Sequence, residues 1–108
     1  MTEHLLVETS GPWAGPACAR FVEDAAVLAE AGRQVRVLLV DDGVTAAVPG
    51  ALPEAERLLA GGGQLWVDAF SLGRRGLGGA PLASGCRLVG MAEVADEILK
   101  PAVRVVWH

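Results

Sequence analysis

Apolar positions in this chain gather into short, nearly unbroken runs that alternate with stretches of helical spacing. Residues 4–9 (HLLVET), 34–40 (QVRVLLV), 64–67 (QLWV), 86–89 (CRLV) and 102–107 (AVRVVW) read as buried strands. Between the first two, Phe21, Ala25 and Leu28 recur on one face of a helix over 17–31, while Arg20, Glu23, Asp24 and Glu30 fall elsewhere. Pro16 suits that helix's first turn and Gly32 its stop. A shorter helix over 54–60 closes on Gly61-Gly62-Gly63, and another over 91–99 ends at Pro101. Residues 10–16 read as a loop from their Gly and Pro content, 44–53 as irregular chain, and 70–83 as loop or a weak helical turn. The alternation predicts an α/β fold: a three-layer α/β/α arrangement with a five-stranded parallel sheet, one domain across 1–108.

That architecture says where chemistry belongs. In open parallel sheets, ligands bind outside the carboxyl ends of the strands. The residues just past those ends are Thr9 and Ser10, Asp41 and Asp42, Asp68 with the loop after it, Gly90 and His108. Asp68 is expected on this rim, where a carboxylate reaches water. His108 is expected to be mobile as the last residue, and His4 lies at the opposite end of the sheet.

Composition narrows the function classes. The chain of 108 residues is 52% hydrophobic but only 5% aromatic, so its core is built from Ala, Val and Leu and leaves apolar surface to cover, which favours self-association. A net charge of −4, with no basic cluster beyond Arg74-Arg75, argues against nucleic-acid binding. The two cysteines, Cys18 and Cys86, form no CxxC pair and nothing supplies four zinc ligands, so neither metal nor cofactor is expected. The A-C-A at 17–19 mimics a signal-peptidase site, but no basic segment precedes it and Glu8 interrupts the apolar stretch. No run is long enough to span a membrane. A reducing, cytoplasmic setting with both thiols free is the expectation.

Three local signatures resemble the DsrE/DsrF-like family, which includes the TusD-type sulfur-relay proteins. They are a strand running into Ser-Gly-Pro (LLVETSGP), a helix with an Ala-Gly turn, strand and Asp-Gly (AEAGRQVRVLLVDDG), and VDAFSLGRRGL followed by LVGMAEVADEIL. Their order covers nearly the whole chain. The resemblance implies a five-stranded parallel sheet between helices and a homo-oligomer, a trimer or hexamer, or a sulfur-relay-type hetero-complex. It also implies a persulfide-bearing cysteine at the end of the third strand, about seven residues before the Arg of an Arg-Gly pair. Counting back seven from Arg75 lands on Asp68, and a carboxylate cannot carry sulfane sulfur.

The candidate residues each carry two readings. Asp68 is a rim base or cation-binding group, or else a helix or turn cap. Ser71, Arg74 and Arg75 before Gly76 form an anion clamp, or a solvated loop in which one arginine pairs with Asp68 or Asp41. Ser10 and Trp13 lie in a loop whose Pro12 and Pro16 remove amide donors, so phosphate cradling is weak there; Trp13 is a lid, an interface anchor or packing. Asp41 and Asp42 sit where a ribose-binding acid would, without the glycine fingerprint of a dinucleotide fold. Cys18 in the first turn of its helix is a relocated sulfur-accepting thiol with a dipole-lowered pKa, or a small core residue. Cys86 belongs to core or interface at the amino end. Three functions follow: a non-catalytic or divergent member binding a partner or small anion at the rim; a sulfurtransferase carrying a persulfide on Cys18; or a small-molecule enzyme or binder using Asp68 with Asp41 or Asp42.

Overall fold

The computed structural model describes residues 2–108. Five strands, β1 (Glu3–Glu8), β2 (Gln34–Leu39), β3 (Gln64–Asp68), β4 (Arg87–Val89) and β5 (Val103–Trp107), form one sheet in the order β4-β3-β2-β1-β5. Every neighbouring pair is parallel. Helices α1 (Ala17–Glu30), α2 (Pro53–Ala60), α3 (Ala69–Arg74) and α4 (Met91–Ile98) join them, with short 3-10 segments at Pro12–Ala14 and Asp41–Ala47. The expected five-stranded parallel α/β fold is the one observed.

The strand order dictates how the faces are covered. From β1 to β4 the chain steps toward one edge, and right-handed crossovers keep the connecting helices on one face. The return from β4 to β5 reverses direction, so α4 lies on the other face. Alternation along the strands then builds two cores. Leu6, Val37, Leu39, Leu65 and Val67 pack against Val22, Ala25, Ala55, Leu58 and Leu72 of the first three helices. Leu5, Val7, Leu38, Trp66 and Val89 pack on the opposite face, where α4 supplies Val94 and Ile98. The second face is thinly covered, because one helix of eight residues crosses it.

Its amino end is closed by charge rather than by carbon. Arg36 of β2 and Arg87 of β4 flank Trp66 of β3, their guanidinium carbons 5.1 and 4.9 Å from the ring centroid. Arg36, nine-tenths buried, pairs with Glu97 of α4 and lies 3.3 Å from Glu3. Arg87 pairs with Glu93, one turn earlier on α4. Glu3, Arg36, Arg87 and Glu97 line a polar cleft that nothing in the strand pattern of the sequence announces.

Several expectations need correction. The stretch after β2 is not irregular from its start: Asp41–Ala47 is a 3-10 helix with Val44, Ala46 and Ala47 buried. A β-carbon at Gly43 would collide with the Glu8 carbonyl, so the Asp-Asp-Gly turn is a close backbone approach. The loop after β3 begins as α3, and β4 opens at Arg87, leaving Cys86 in the turn before it. His108, expected to be mobile, is tied to its neighbours through both backbone and ring. Its N–H donates to the Val7 carbonyl at 2.8 Å, its carbonyl accepts from Thr9 Oγ at 2.8 Å, and its ring stacks on Phe21 at 4.7 Å.

Candidate functional site

In a doubly wound sheet the ligand crevice opens where adjacent strands send their connections to opposite faces. Here those strands are β3 and β4: α3 contributes Leu72 to the first core, whereas α4 contributes Val94 to the second. A cleft of 500 Å³ opens beside that crevice at the carboxyl rim, from the end of β3 and the start of α4 across β2 to Trp107 of β5. Its walls are mostly apolar: Leu38 and Val40 from β2 and its end, Phe70 from α3, Met91, Val94 and Ile98 from α4, and Trp107 from β5. Phe70, Met91 and Trp107 are exposed, so the cleft mouth is an apolar ring. Its polar groups are Asp41, Asp68 and Ser71.

The polar groups form a chain. Asp68 is the N-cap of α3, and its Oδ2 accepts from the Ser71 N–H at 3.1 Å and from the Ser71 hydroxyl at 2.6 Å. Ser71 Oγ in turn accepts the Asp41 N–H at 2.9 Å. Asp41 holds a left-handed backbone, φ +51°, which aspartate tolerates better than most residues. The ends of β2 and β3 are thus tied through one serine hydroxyl. The expectation that Asp68 reaches water is corrected: it is 4% exposed, and its Oδ1 has no hydrogen-bond partner among the described residues. An unpaired buried carboxylate oxygen beside a cleft is costly, and a donor brought by a ligand would relieve it.

The arginines turn elsewhere. Arg75 pairs with Asp42 at 2.9 Å, rather than with Asp68 or Asp41, and also donates to the Ser71 carbonyl at 3.3 Å. Arg74 lies 5.9 Å over the Phe70 ring. With Asp41, Phe70 and Ser71 they border a smaller polar hollow of 160 Å³. Among the described residues no lysine or arginine lines the larger cleft. Trp13 and Asp42 border a separate hollow with Gly11 and Thr45, and Trp13 is largely exposed. The Ser10 N–H donates to Glu8 Oε1 at 2.9 Å, which places Ser10 with β1 rather than with the cleft.

Cys18 is buried in the first core. Burial first, then the carboxylates of Glu8 and Glu54, push its thiol up from 9.0 to about 11, against the dipole-lowered value expected from helix position. Burial also raises the Cys86 thiol. Glu8 itself escaped the sequence reading. It is fully buried at the end of β1, with Oε2 2.5 Å from His108 Nδ1. The sequence shows a carboxylate ending an apolar strand, but carries no signal that it meets His108, 100 residues away. Phe70, Met91 and Trp107 were also missed as cleft residues, although Met91 and Trp107 each neighbour a residue already placed on the rim.

The strand order and the α4 crossover define a five-stranded, doubly wound parallel α/β fold. No family model matches the chain, and no curated protein matches it in sequence. Among solved structures, a crystal structure of the ychN protein from E. coli superposes with a TM-score of 0.89 at 21% sequence identity, covering 100% of both chains. That likeness establishes the fold. Among the described residues no group of three or more His, Cys, Asp or Glu is placed to hold a metal ion, and no helix is long and apolar enough to cross a membrane.

Proposed function

We propose that this chain is a binding member of the DsrE-like fold without thiol chemistry at the rim, and that its cleft between Asp68 and Trp107 receives an apolar group carrying an N–H donor from a partner. The observation behind this reading is Asp68 itself. At the position where the resemblance implies a persulfide cysteine, the side chain is a buried carboxylate committed to Ser71, with one oxygen left unpaired. Of the two rim occupants considered, a partner and a small anion, the cleft favours the partner. Its walls are apolar, its ionisable groups are both acidic, and Arg75 is already paired with Asp42.

Two probes of opposite charge test this. Titrating the protein with phenethylamine should shift the amide resonances of Ser71 and Trp107, and Asp68→Asn should weaken the effect. The matching carboxylate, 3-phenylpropionate, should shift them less. Preference for the carboxylate would restore the anion reading, and no shift with either probe would remove the cleft from the argument. The sulfurtransferase alternative on Cys18 is opposed by its burial and raised pKa. It would be revived by a reductant-reversible mass gain of one sulfur on a persulfide donor, lost in Cys18→Ser and kept in Cys86→Ser.

A further inference from the structure

The polar cleft at the amino end lies on the α4 face of the sheet, at the opposite end of the strands from the rim. Strand alternation turns Glu3 of β1, Arg36 of β2, Gln64 and Trp66 of β3 and Arg87 of β4 to that face. α4 crosses back above them and brings Glu97, with Lys100 just beyond its end. The cleft measures 340 Å³, within the range of small-molecule sites.

Its hydrogen-bonding capacity is lopsided, because most of its acceptors are already engaged. Glu97 Oε2 accepts from Arg36 Nη1, and Glu97 Oε1 accepts from Lys100 Nζ at 2.7 Å. Gln64 Oε1 accepts the Trp66 indole N–H at 2.9 Å, which leaves the Gln64 amide nitrogen free to donate. The Lys100 ammonium keeps further N–H donors beyond its bond to Glu97. Arg36 Nη2 is buried and has no hydrogen-bond partner among the described residues. The Glu3 carboxylate lies 3.3 Å from it and attracts it without forming a hydrogen bond. Arg36 as a whole is nine-tenths buried, so its unused donor is costly.

We propose that this cleft binds a small oxyanion, a phosphate or carboxylate group, anchored on Arg36 Nη2 and supported by Gln64 and Lys100. An oxyanion only accepts hydrogen bonds, which matches a site whose spare groups are donors. Three cations, Arg36, Arg87 and Lys100, line the cleft against two carboxylates, Glu3 and Glu97. Hydrogen bonds between a guanidinium and an oxyanion are among the strong ones. Glu3 is then the competitor that an arriving anion displaces. The rim cleft differs in kind, since its ionisable groups are acidic. The two sites are separate, and neither reading depends on the other.

Titration with inorganic phosphate and with malonate, at an ionic strength fixed by sodium chloride, provides the test. The readout is the Trp66 indole N–H resonance, whose ring stands between Arg36 and Arg87. At least one of the anions should shift it saturably, at about 1–10 mM, and the stronger one names the class of oxyanion. The Ser71 and Trp107 amides at the rim should stay still. Arg36→Gln should weaken binding about 10- to 100-fold. Lys100→Gln should weaken it about threefold, whereas Glu3→Gln should tighten it about threefold. Lys100 and Glu3 are partly exposed, so this opposed pair reports on the site even where the Arg36 variant misfolds. No saturable shift, or one that sodium chloride reproduces, overturns the proposal and leaves Arg36 to water. Shifts confined to the rim amides overturn it by placing the anion there. So does weaker binding in Glu3→Gln, which would make Glu3 a ligand-holding group rather than a competitor.

Discussion

Replacing Asp68 by alanine isolates what the rim carboxylate does for the fold. The substitution removes the N-cap acceptor of α3, worth about 1 kcal/mol. It also deprives the buried Ser71 hydroxyl of its 2.6 Å acceptor, a bond to a charged group worth about 1.5–3 kcal/mol. Against this, the unpaired Oδ1 disappears, and relief of its desolvation returns about 1–2 kcal/mol. The net loss is about 2 kcal/mol, or roughly 10 °C in Tm for a domain of this size. Asp68→Asn keeps an acceptor oxygen for the Ser71 N–H and hydroxyl and replaces the unpaired oxygen with an amide. It should stay within about 1 kcal/mol of wild type. Urea unfolding followed by tryptophan fluorescence reads both variants. Equal destabilisation by Asn and Ala would mean that charge, not capping, fixes Asp68, and a harmless alanine would refute the cap altogether.

Three further perturbations test other parts of the structure. The Cys18 thiol titrates near 11 folded and near 9.0 unfolded, so above pH 9 the unfolded chain releases a proton that the folded chain keeps. Stability should fall by roughly 2–3 kcal/mol as pH rises through that window, Cys18→Ala should flatten the fall, and an unchanged slope would contradict the buried thiol. The Glu97 carboxyl is held below its usual range by hydrogen bonds from Lys100 and then Arg36, so its stabilisation is present above pH 4.5 and lost as pH falls further. Glu97→Gln, which leaves the buried Arg36 guanidinium with Glu3, should cost about 2–3 kcal/mol in denaturant unfolding at neutral pH, and a gap from wild type that failed to shrink in acid would count against the pairing. His108→Ala leaves the buried Glu8 carboxylate with only the Ser10 N–H, and should cost about 2 kcal/mol and speed hydrogen exchange at Thr9; unaltered exchange would show that the ring does not anchor β5.

The fold was legible because its signal is local. Runs such as LLV and VRVLL are buried on both faces and read as parallel strands, and Gly32 and Gly61-Gly62-Gly63 punctuate the helices between them. What escaped depends on distance through space. Glu8 and His108 are 100 residues apart in sequence, and nothing near either residue says that a carboxylate closing β1 will meet an imidazole closing β5. Arg36 and Glu97 are 61 apart and meet only because α4 crosses back over the sheet. The rim position of Asp68 followed from where β3 ends. Its burial did not, because it depends on Ser71 of α3 and the Asp41 turn after β2 coming together at the strand end.

The local chemistry at that position ties the cap of α3 to the end of β2. Ser71 presents its N–H and its hydroxyl to residue 68, and the Asp41 N–H donates to that hydroxyl from β2. Such a donor set stabilises negative charge whatever atom bears it, so it suits a carboxylate as well as the sulfur anion that the resemblance implies at this place. Exchanging one anion for the other keeps the cap of α3 and the tie between β2 and β3. It removes the nucleophile, since a carboxylate cannot hold sulfane sulfur. The apolar walls of Phe70, Met91 and Trp107 stand beside this donor set, so a group entering the cleft meets carbon before it meets the carboxylate.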